Sequence, residues 1–329
     1  MTTIRTLALG ALVLTLVACG EKPAAPAGPS AADQPPHTNA PGAPVKIALI
    51  MKAHGNPFFT EMEKGARQAQ HELGVDLVVR DTDEETAIEQ QIKLVDDEIT
   101  DHVSAIVIAP VDSRRLVPAL KKAQDAGIKI VNLDNHLDHA FMQERAMAPV
   151  PFISIDNEMA AYHSAKFIAD AVTEPSEAAI LEGIRHAANA NERKQGAERA
   201  FKENPKINLI MSETANWSLD EAYVLAKRSF AEHPKLKLVF CANDMMALGV
   251  IKYLKEAGRH DVRIASFDAL DDAKRAIRAG DLMATIDQQA DKQGYEGIVT
   301  ALKSIRGEQV PAEIKLDAAL VTAQTLKQK

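Results

Sequence analysis

The sequence predicts an α/β protein built from two successive doubly wound units. From residue 45 onward, short apolar runs alternate with amphipathic segments of helical period almost without exception. The runs are apolar throughout, as strands buried on both faces of a parallel sheet are. The rhythm breaks once, at the polar loop Leu137–Pro151, and then restarts. A repeated strand-helix order means a parallel sheet covered on both faces. One interruption means two such units with a cleft between them.

The first strand sets the pattern. Ile47–Met51 is apolar, and Lys52, His54, Gly55 and Asn56 cannot continue it. Pro57 stands where a helix starts, with Asn56 as its N-cap. The helix Pro57–Leu73 puts Phe59, Met62, Ala66, Ala69 and Leu73 on one face and ends at Gly74. Then follow strand Val75–Val79, helix Glu84–Ile99, strand Ala105–Ala109, helix Ser113–Ala126 and strand Ile128–Leu133. Beyond the loop come strand Phe152–Ile155 and helix Glu158–Val172, opened by Asn157. Strands Ala178–Leu181, Ile207–Met211, Leu238–Cys241, Val262–Phe267 and Met283–Ile286 alternate with helices Asn191–Glu203, Leu219–His233, Asp244–Ala257, Asp271–Ala279 and Lys292–Ile305. Ile314–Thr322 reads as one or two further strands.

The first residues stand apart. Arg5 gives a positive start, and Leu7–Val17 is apolar but too short to span a membrane. Leu16-Val17-Ala18-Cys19 has the lipobox pattern of bacterial lipoproteins. Residues 1–19 are therefore expected to be a lipoprotein signal peptide, with Cys19 lipidated. Residues 20–44 are rich in Pro and Ala and read as a disordered tether. The expected location is the periplasmic or cell-surface side of a bacterial membrane, reached through the lipid anchor.

Roughly 285 residues remain, enough for two lobes. With Cys19 lipidated, Cys241 stands alone, so no intrachain disulfide is possible and the core must hold the fold. A net charge of −8 and a pI near 5.7 argue against a nucleic-acid partner.

In open α/β sheets ligands bind just beyond the carboxyl ends of the strands. Those positions hold Lys52, Asn56, Phe58, Phe59, Asp134, Asn135, Arg193, Trp217, Asn243, Asp244, Phe267, Asp268 and Gln288. Planar polar groups are interleaved with aromatic rings, although aromatics form only 4% of the chain. A sugar needs this mixture. Each hydroxyl donates and accepts, so carboxylates must share the site with amides and guanidinium groups. The C–H faces of the ring stack on aromatic rings. Any one of these residues, Asn243 above all, also reads as an ordinary cap or core residue. The set is harder to dismiss, because all of it falls at one edge of the predicted sheets.

These segments resemble a known family. Asn-Pro-Phe-Phe (56–59), Val-Asn-Leu-Asp (131–134), Arg193, Ala-Asn-Trp (215–217), Cys-Ala-Asn-Asp-Met-Met-Ala-Leu-Gly (241–249), Phe-Asp (267–268) and Ala-Thr-Ile-Asp-Gln (284–288) occur in the order found in type-I periplasmic sugar-binding proteins of ABC transporters. Within that group the chain looks closer to the allose binders than to the ribose binders. The resemblance implies two Rossmann-like lobes joined by a three-stranded hinge. Residues 45–155 and 289–317 would form the N-terminal lobe, and 156–288 and 318–329 the C-terminal lobe. It also implies that the strand-end residues, Asp244 apart, contact one monosaccharide, an allose-like aldohexose or a ribose-like pentose. Asn135 and Phe267 are the weaker candidates. Phe59 and Trp217 would sandwich the ring, with Phe58 alongside. Asp134, Asp268 and Arg193 would make the strongest hydrogen bonds. Asn135 stands where a ribose binder has arginine, which suggests that Lys52 supplies the cation on that side.

The expected partners are the sugar, an ABC permease with its ATPase, and the membrane through the lipid anchor. The chain is expected to act as a monomer, without cofactor. A sensory role, passing sugar occupancy to a chemoreceptor or sensor kinase, is the alternative. A LacI-type repressor would need a helix-turn-helix before Val45, where the signal and tether lie. Asp134, His136, Asp138 and His139 could be drawn as a metal cluster, but their spacing fits no closed site. Asp83-Glu84-Glu85 and Asp96-Asp97-Glu98 read as exposed helix surface. No enzyme motif is present, and Arg193 is expected to hold both site acids ionised, leaving no general acid.

Overall fold

The structure is a computed structural model that describes residues 44–328. The expected signal peptide, the lipidation of Cys19 and nearly all of the tether lie outside the described residues. The first unit runs β1 (Lys46–Ile50), α1 (Pro57–Leu73), β2 (Asp76–Arg80), α2 (Ile88–Thr100), β3 (Ala105–Ile108), α3 (Val117–Asp125), β4 (Lys129–Leu133), α4 (His139–Glu144) and β5 (Phe152–Ile155). The second runs α5 (Asn157–Ala169), β6 (Ser176–Glu182), α6 (Ala188–Lys202), β7 (Ile207–Thr214), α7 (Leu219–Glu232), β8 (Leu236–Cys241), α8 (Asp244–Glu256), β9 (Arg263–Ala265), α9 (Asp271–Ala279) and β10 (Ala284–Asp287). Then come α10 (Ala290–Ile305), β11 (Glu313–Leu316), β12 (Ala319–Thr322) and a 3₁₀ turn, Thr325–Lys327.

Two six-stranded sheets result, ordered β11-β5-β4-β3-β1-β2 and β12-β10-β9-β8-β6-β7. Every pairing is parallel except β10 with β12. Each sheet starts at an inner strand, steps to one side and then winds the other way. That reversal opens a crevice at the carboxyl ends of the strands. The chain passes between the sheets three times: from β5 into α5, from β10 back to α10 on the first lobe, and from β11 to β12. These passages are the three-stranded hinge, and the tail strands belong one to each sheet.

Successive side chains of β1 serve opposite faces. Ile47 and Leu49 pack with Met62 and Ala66 of α1, whereas Ala48 and Ile50 pack with Val95, Val117 and Leu120 on the far side. The two faces are covered by different helices, which is why the strand is apolar at every position.

The loop expected over Leu137–Pro151 contains α4. Asp138 caps it by accepting from Phe141 N at 2.9 Å, and Leu137, Met142 and Met147 are buried in the core. The segment is tethered by apolar side chains too widely spaced to show helical period. Asp156, not Asn157, caps α5, accepting from Met159 N. Helix α3 starts at Val117 rather than Ser113, because Asp112 Oδ1 accepts from the backbone N–H groups of Arg114 and Arg115 and holds them in a turn. Helix α2 starts at Ile88 rather than Glu84. Thr82 Oγ1 donates to Glu84 O, and Asp83 N donates to Gln90 Oε1, so residues 82–87 form a loop.

Helices α1 and α10 approach closely through glycines. A Cβ on Gly294 would lie 1.9 Å from the carbonyl oxygen of Met62, and one on Gly65 1.7 Å from that of Asp291. The obstacles are backbone, so relief requires the helices to move apart. Gly294→Val is expected to destabilise the protein by about 3 kcal/mol, measured by denaturant unfolding. Gly55→Ala, where a Cβ meets nothing within 4 Å, is the control. Equal midpoints for the two variants would show that this helix contact is not close-packed.

Candidate functional site

Loops from both sheets meet in one cavity. It is lined by Lys52, Asn56, Phe58, Phe59, Glu85, Asp134, Asn189, Arg193, Trp217, Asn243, Asp268 and Gln288. The empty space among them is about 260 Å³. The side chains therefore enclose a narrow slot, with the lobes closed.

The first lobe supplies a cation, acids and rings. Lys52 Nζ donates to Asp134 Oδ2 at 2.8 Å, and both side chains are 3% exposed. Asn56 Oδ1 caps α1 by accepting from Phe58 N at 3.1 Å, while its Nδ2 donates to Glu85 Oε1 at 2.7 Å. Phe58 and Phe59 meet edge to face at 5.1 Å, with Lys52 Nζ 5.9 Å from the Phe59 ring. The backbone turns sharply to present Asp134, which has φ 60°. That conformation is uncommon for a residue with a Cβ. It is fastened by Asp134 N donating to Ile153 O and by Ser154 Oγ donating to Asp134 O.

The second lobe is centred on Arg193, in the second turn of α6. Its Nε donates to Asn157 Oδ1 and one terminal nitrogen to Ala242 O, each at 2.9 Å; the other donates to Gln288 Oε1 at 3.1 Å. Asp268 Oδ1 lies 3.6 Å and Asp134 Oδ1 3.9 Å from the guanidinium. Its Cζ lies 3.8 Å from the Phe267 ring centre and 5.4 Å from that of Trp217. Trp217 (φ 65°) and Asp268 (φ 118°) share the left-handed backbone of Asp134. Gly183 seats the indole, since a Cβ there would fall 2.1 Å from it. Asn243 caps α8 through Met246 N and donates from Nδ2 to Trp217 O, so its capping and its place in the cavity coexist.

Two expected contacts stand one layer back. Asn135 is fully buried, donating to Pro110 O and accepting at Oδ1 from Ser113 Oγ and Asn189 N. Phe267 is fully buried beneath Arg193. Neither lines the cavity. Each supports a residue that does, because sequence neighbours of a site residue point to the opposite face. Conversely, Glu85 and Asn189 line it and were not anticipated. Glu85, expected on the helix surface, lies in the loop before α2 and lines the cavity instead. Asn189 sits two residues before the helix start expected at Asn191, and no local pattern marks it.

The lips opposite the hinge are bridged. Ala188 N donates to Ser113 Oγ, Ser113 N to His186 O, and Asn189 Nδ2 to Asp134 Oδ1 at 3.1 Å. His136 Nε2 lies 2.9 Å from Glu192 Oε1, a hydrogen bond that raises the imidazole pKa. His136 thus faces Glu192, and Asp138 caps α4 and lies 3.5 Å from Arg114, so the residues drawn as a metal cluster are otherwise engaged. Among the described residues no group of three or more His, Cys, Asp or Glu could hold a metal ion. A wider groove, about 1340 Å³ of empty space, runs along α5 and β11, but none of its lining side chains belongs to the converging set above.

Arg193 does not by itself set the acidity of Asp268. Burial pushes its carboxyl well above the usual range, against the pull of Arg193. Burial likewise raises Glu85 and lowers Arg193. It also makes the Cys241 thiol a weak acid. Behind Asp268, burial raises Asp244 to about 6, although Ser266 Oγ, Thr285 Oγ1 and Leu270 N all donate to it. The folded protein therefore holds this proton longer than the unfolded chain. The associated stability is full below 3.8 and is lost as pH rises through about 6. In Asp244→Asn this titration is absent. Lowering the pH from about 7 to about 4 should raise the melting temperature of wild type relative to the variant, on the order of 5 °C. Parallel melting curves across that range would count against the buried charge.

The geometry can be set beside known proteins. Residues 47–309 match the family model described as periplasmic binding protein domain. The chain is 36% identical to the D-ribose/D-allose-binding protein of Pseudomonas aeruginosa, over 87% of this chain and 91% of that one. It is 32% identical to the D-allose-binding periplasmic protein of Escherichia coli K12, over 85% of this chain and 93% of that one. The crystal structure of an ABC transporter periplasmic solute binding protein from Actinobacillus succinogenes with bound D-allose superposes with a TM-score of 0.81. That protein is 34% identical, and the match covers 87% of this chain and all of the other. With two parallel-sheet lobes, three crossings between them and a family match across nearly the whole described chain, this protein belongs to the periplasmic binding protein domain family.

Proposed function

We propose that the chain is the substrate-binding protein of an ABC sugar importer and takes one monosaccharide, allose-like or ribose-like, into the cavity between its lobes. The observation that carries this reading is the lining itself. Carboxylates, amides, a guanidinium and an ammonium group converge with three aromatic rings on one slot. Sugar hydroxyls can donate to Asp134 and Asp268 and accept from Arg193, Lys52 and Asn243. Phe59 and Trp217 supply the apolar faces for its C–H groups.

The energetics suit hinge closure. Closing the lobes removes Arg193, Asp134 and Asp268 from water, which is costly unless their bonding capacity is filled. A sugar fills it only when the lobes are shut, so it favours the closed state by that difference. The three crossings between the sheets are the natural hinge. The domain division follows them, with the lobes parting near residues 156, 289 and 318. We further propose that Cys19 carries a lipid that holds the protein at the membrane beside its permease. Among the described residues no helix is long and apolar enough to cross a membrane.

Trp217 is the only tryptophan and lines the cavity. Adding D-allose or D-ribose to the purified protein should shift its emission and raise the melting temperature. If no aldose, ketose or polyol in a broad panel did either, the sugar reading would fall. Arg193→Ala leaves both site acids without their buried cation and should weaken sugar binding by about 100-fold or more. Asp134→Asn, which keeps the shape, should weaken it by about tenfold or more. Calorimetric titration of both variants checks this; wild-type affinity in both would refute the assignment of the site.

A further inference from the structure

Asn189 and Glu85 have bonding capacity directed to the cavity that the protein itself does not use. Asn189 is 2% exposed and lines the slot. Its Nδ2 donates to Asp134 Oδ1 at 3.1 Å. A carboxylate oxygen must face a donor, so this contact fixes which end of the amide is nitrogen. The other end, Oδ1, is buried without a hydrogen-bond partner. A buried acceptor in that state is costly, and a ligand hydroxyl would relieve it. Glu85 reaches the same region from the opposite lobe. One of its oxygens accepts from Asn56 Nδ2 at 2.7 Å, which orients the carboxyl group. A carboxylate offers about four acceptor sites, so a single donor leaves most of them to the cavity.

Both residues gather at the end of the slot held by Lys52 and Asp134. Asn189 touches Asp134 directly, and the charges of Lys52 and Asp134 are both felt at Glu85. Each donor there already gives one hydrogen bond to a carboxylate, Lys52 to Asp134 and Asn56 to Glu85. The unfilled acceptors, Asn189 Oδ1 and the Glu85 carboxylate, call for donors from the ligand. Lys52 and Arg193 already face Asp134 and Asp268. An anionic ligand would compete with these carboxylates for the same two cations.

We propose that Glu85 and Asn189 accept hydrogen bonds from ligand hydroxyls at the Lys52–Asp134 end of the cleft, and that they select an uncharged sugar with free hydroxyls at that end. This rests on the sugar-binding reading and adds two specificity-determining residues to it. Asn189 accepts from the C-terminal lobe and Glu85 from the N-terminal lobe, so the hydroxyls they hold are reachable only in the closed form.

The test is calorimetric titration with D-allose, D-ribose and the monodeoxy derivatives of whichever sugar binds. Wild type, Asn189→Ala and Glu85→Gln are compared, with melting temperatures taken without sugar to check folding. Asn189→Ala should weaken the parent sugar about tenfold. For one deoxy position, the loss seen in wild type should vanish in that variant, because hydroxyl and acceptor are then both absent. Glu85→Gln keeps shape and one acceptor oxygen, so it should weaken binding less and blunt the loss at a second deoxy position. The proposal is overturned if both variants bind within about threefold of wild type. It is equally overturned if they weaken every deoxy derivative by the same factor as the parent, the signature of a purely structural role. A wild type that binds no sugar would instead overturn the sugar reading itself.

Discussion

The buried guanidinium of Arg193 is the constraint on which the cleft depends. A cation at 3% exposure cannot be left short of partners without a penalty of several kcal/mol. Its donors are therefore met from different segments: Asn157 of α5, Ala242 after β8 and Gln288 after β10. The Phe267 ring centre lies 3.8 Å from its central carbon. Ala242 and Gln288 each follow a strand of the second sheet, and Asn157 opens α5 just after the chain leaves the first, so one side chain ties these segments together. Asp134 approaches from the other lobe, at 3.9 Å. The arrangement thus has one rigid half and one half that arrives on closure.

The backbone carries a matching strain. Asp134, Trp217 and Asp268 all have positive φ, a conformation that costs of order 1–3 kcal/mol for a residue with a Cβ. All three line the cavity, and each follows a different strand. A relaxed extended backbone would continue the sheet direction and carry these side chains past the crevice. The left-handed turn folds them back over it. Parallel sheets tolerate this because their ladders have ended by then, and local bonds such as Ser154 Oγ to Asp134 O hold the turn.

Charge balance then explains why closure and ligand belong together. Burial outweighs Arg193 in setting the acidity of Asp268, so the shut cleft is electrostatically uneasy by itself. Lys52 and Asp134 satisfy one another at 2.8 Å, whereas Asn189 Oδ1 has no protein partner. A hydroxylated ring that both donates and accepts is the kind of molecule that relieves such a site, and it does so only when both lobes contribute.

Much of this was legible in the chain. The strand-helix alternation determined two parallel sheets, because strands buried on both faces must be apolar at every position, as Ile47–Met51 is. Asn56 and Pro57 determined where α1 begins, and Gly74 where it ends, since caps act on their own backbone neighbours. Most site residues could be named because a parallel sheet sends every strand end to the same edge. Only tertiary structure decided the rest. Helix α4 is stabilised by burying Leu137, Met142 and Met147 against a distant core, which no local period announces. Asn135 and Phe267 stand behind the cavity, and Glu85 and Asn189 in it, because the direction of a side chain beyond a strand depends on loop turns set by remote partners. Local signals determine where elements start and stop; which atoms face a cleft is decided when two lobes, assembled from segments far apart in the chain, close on one another.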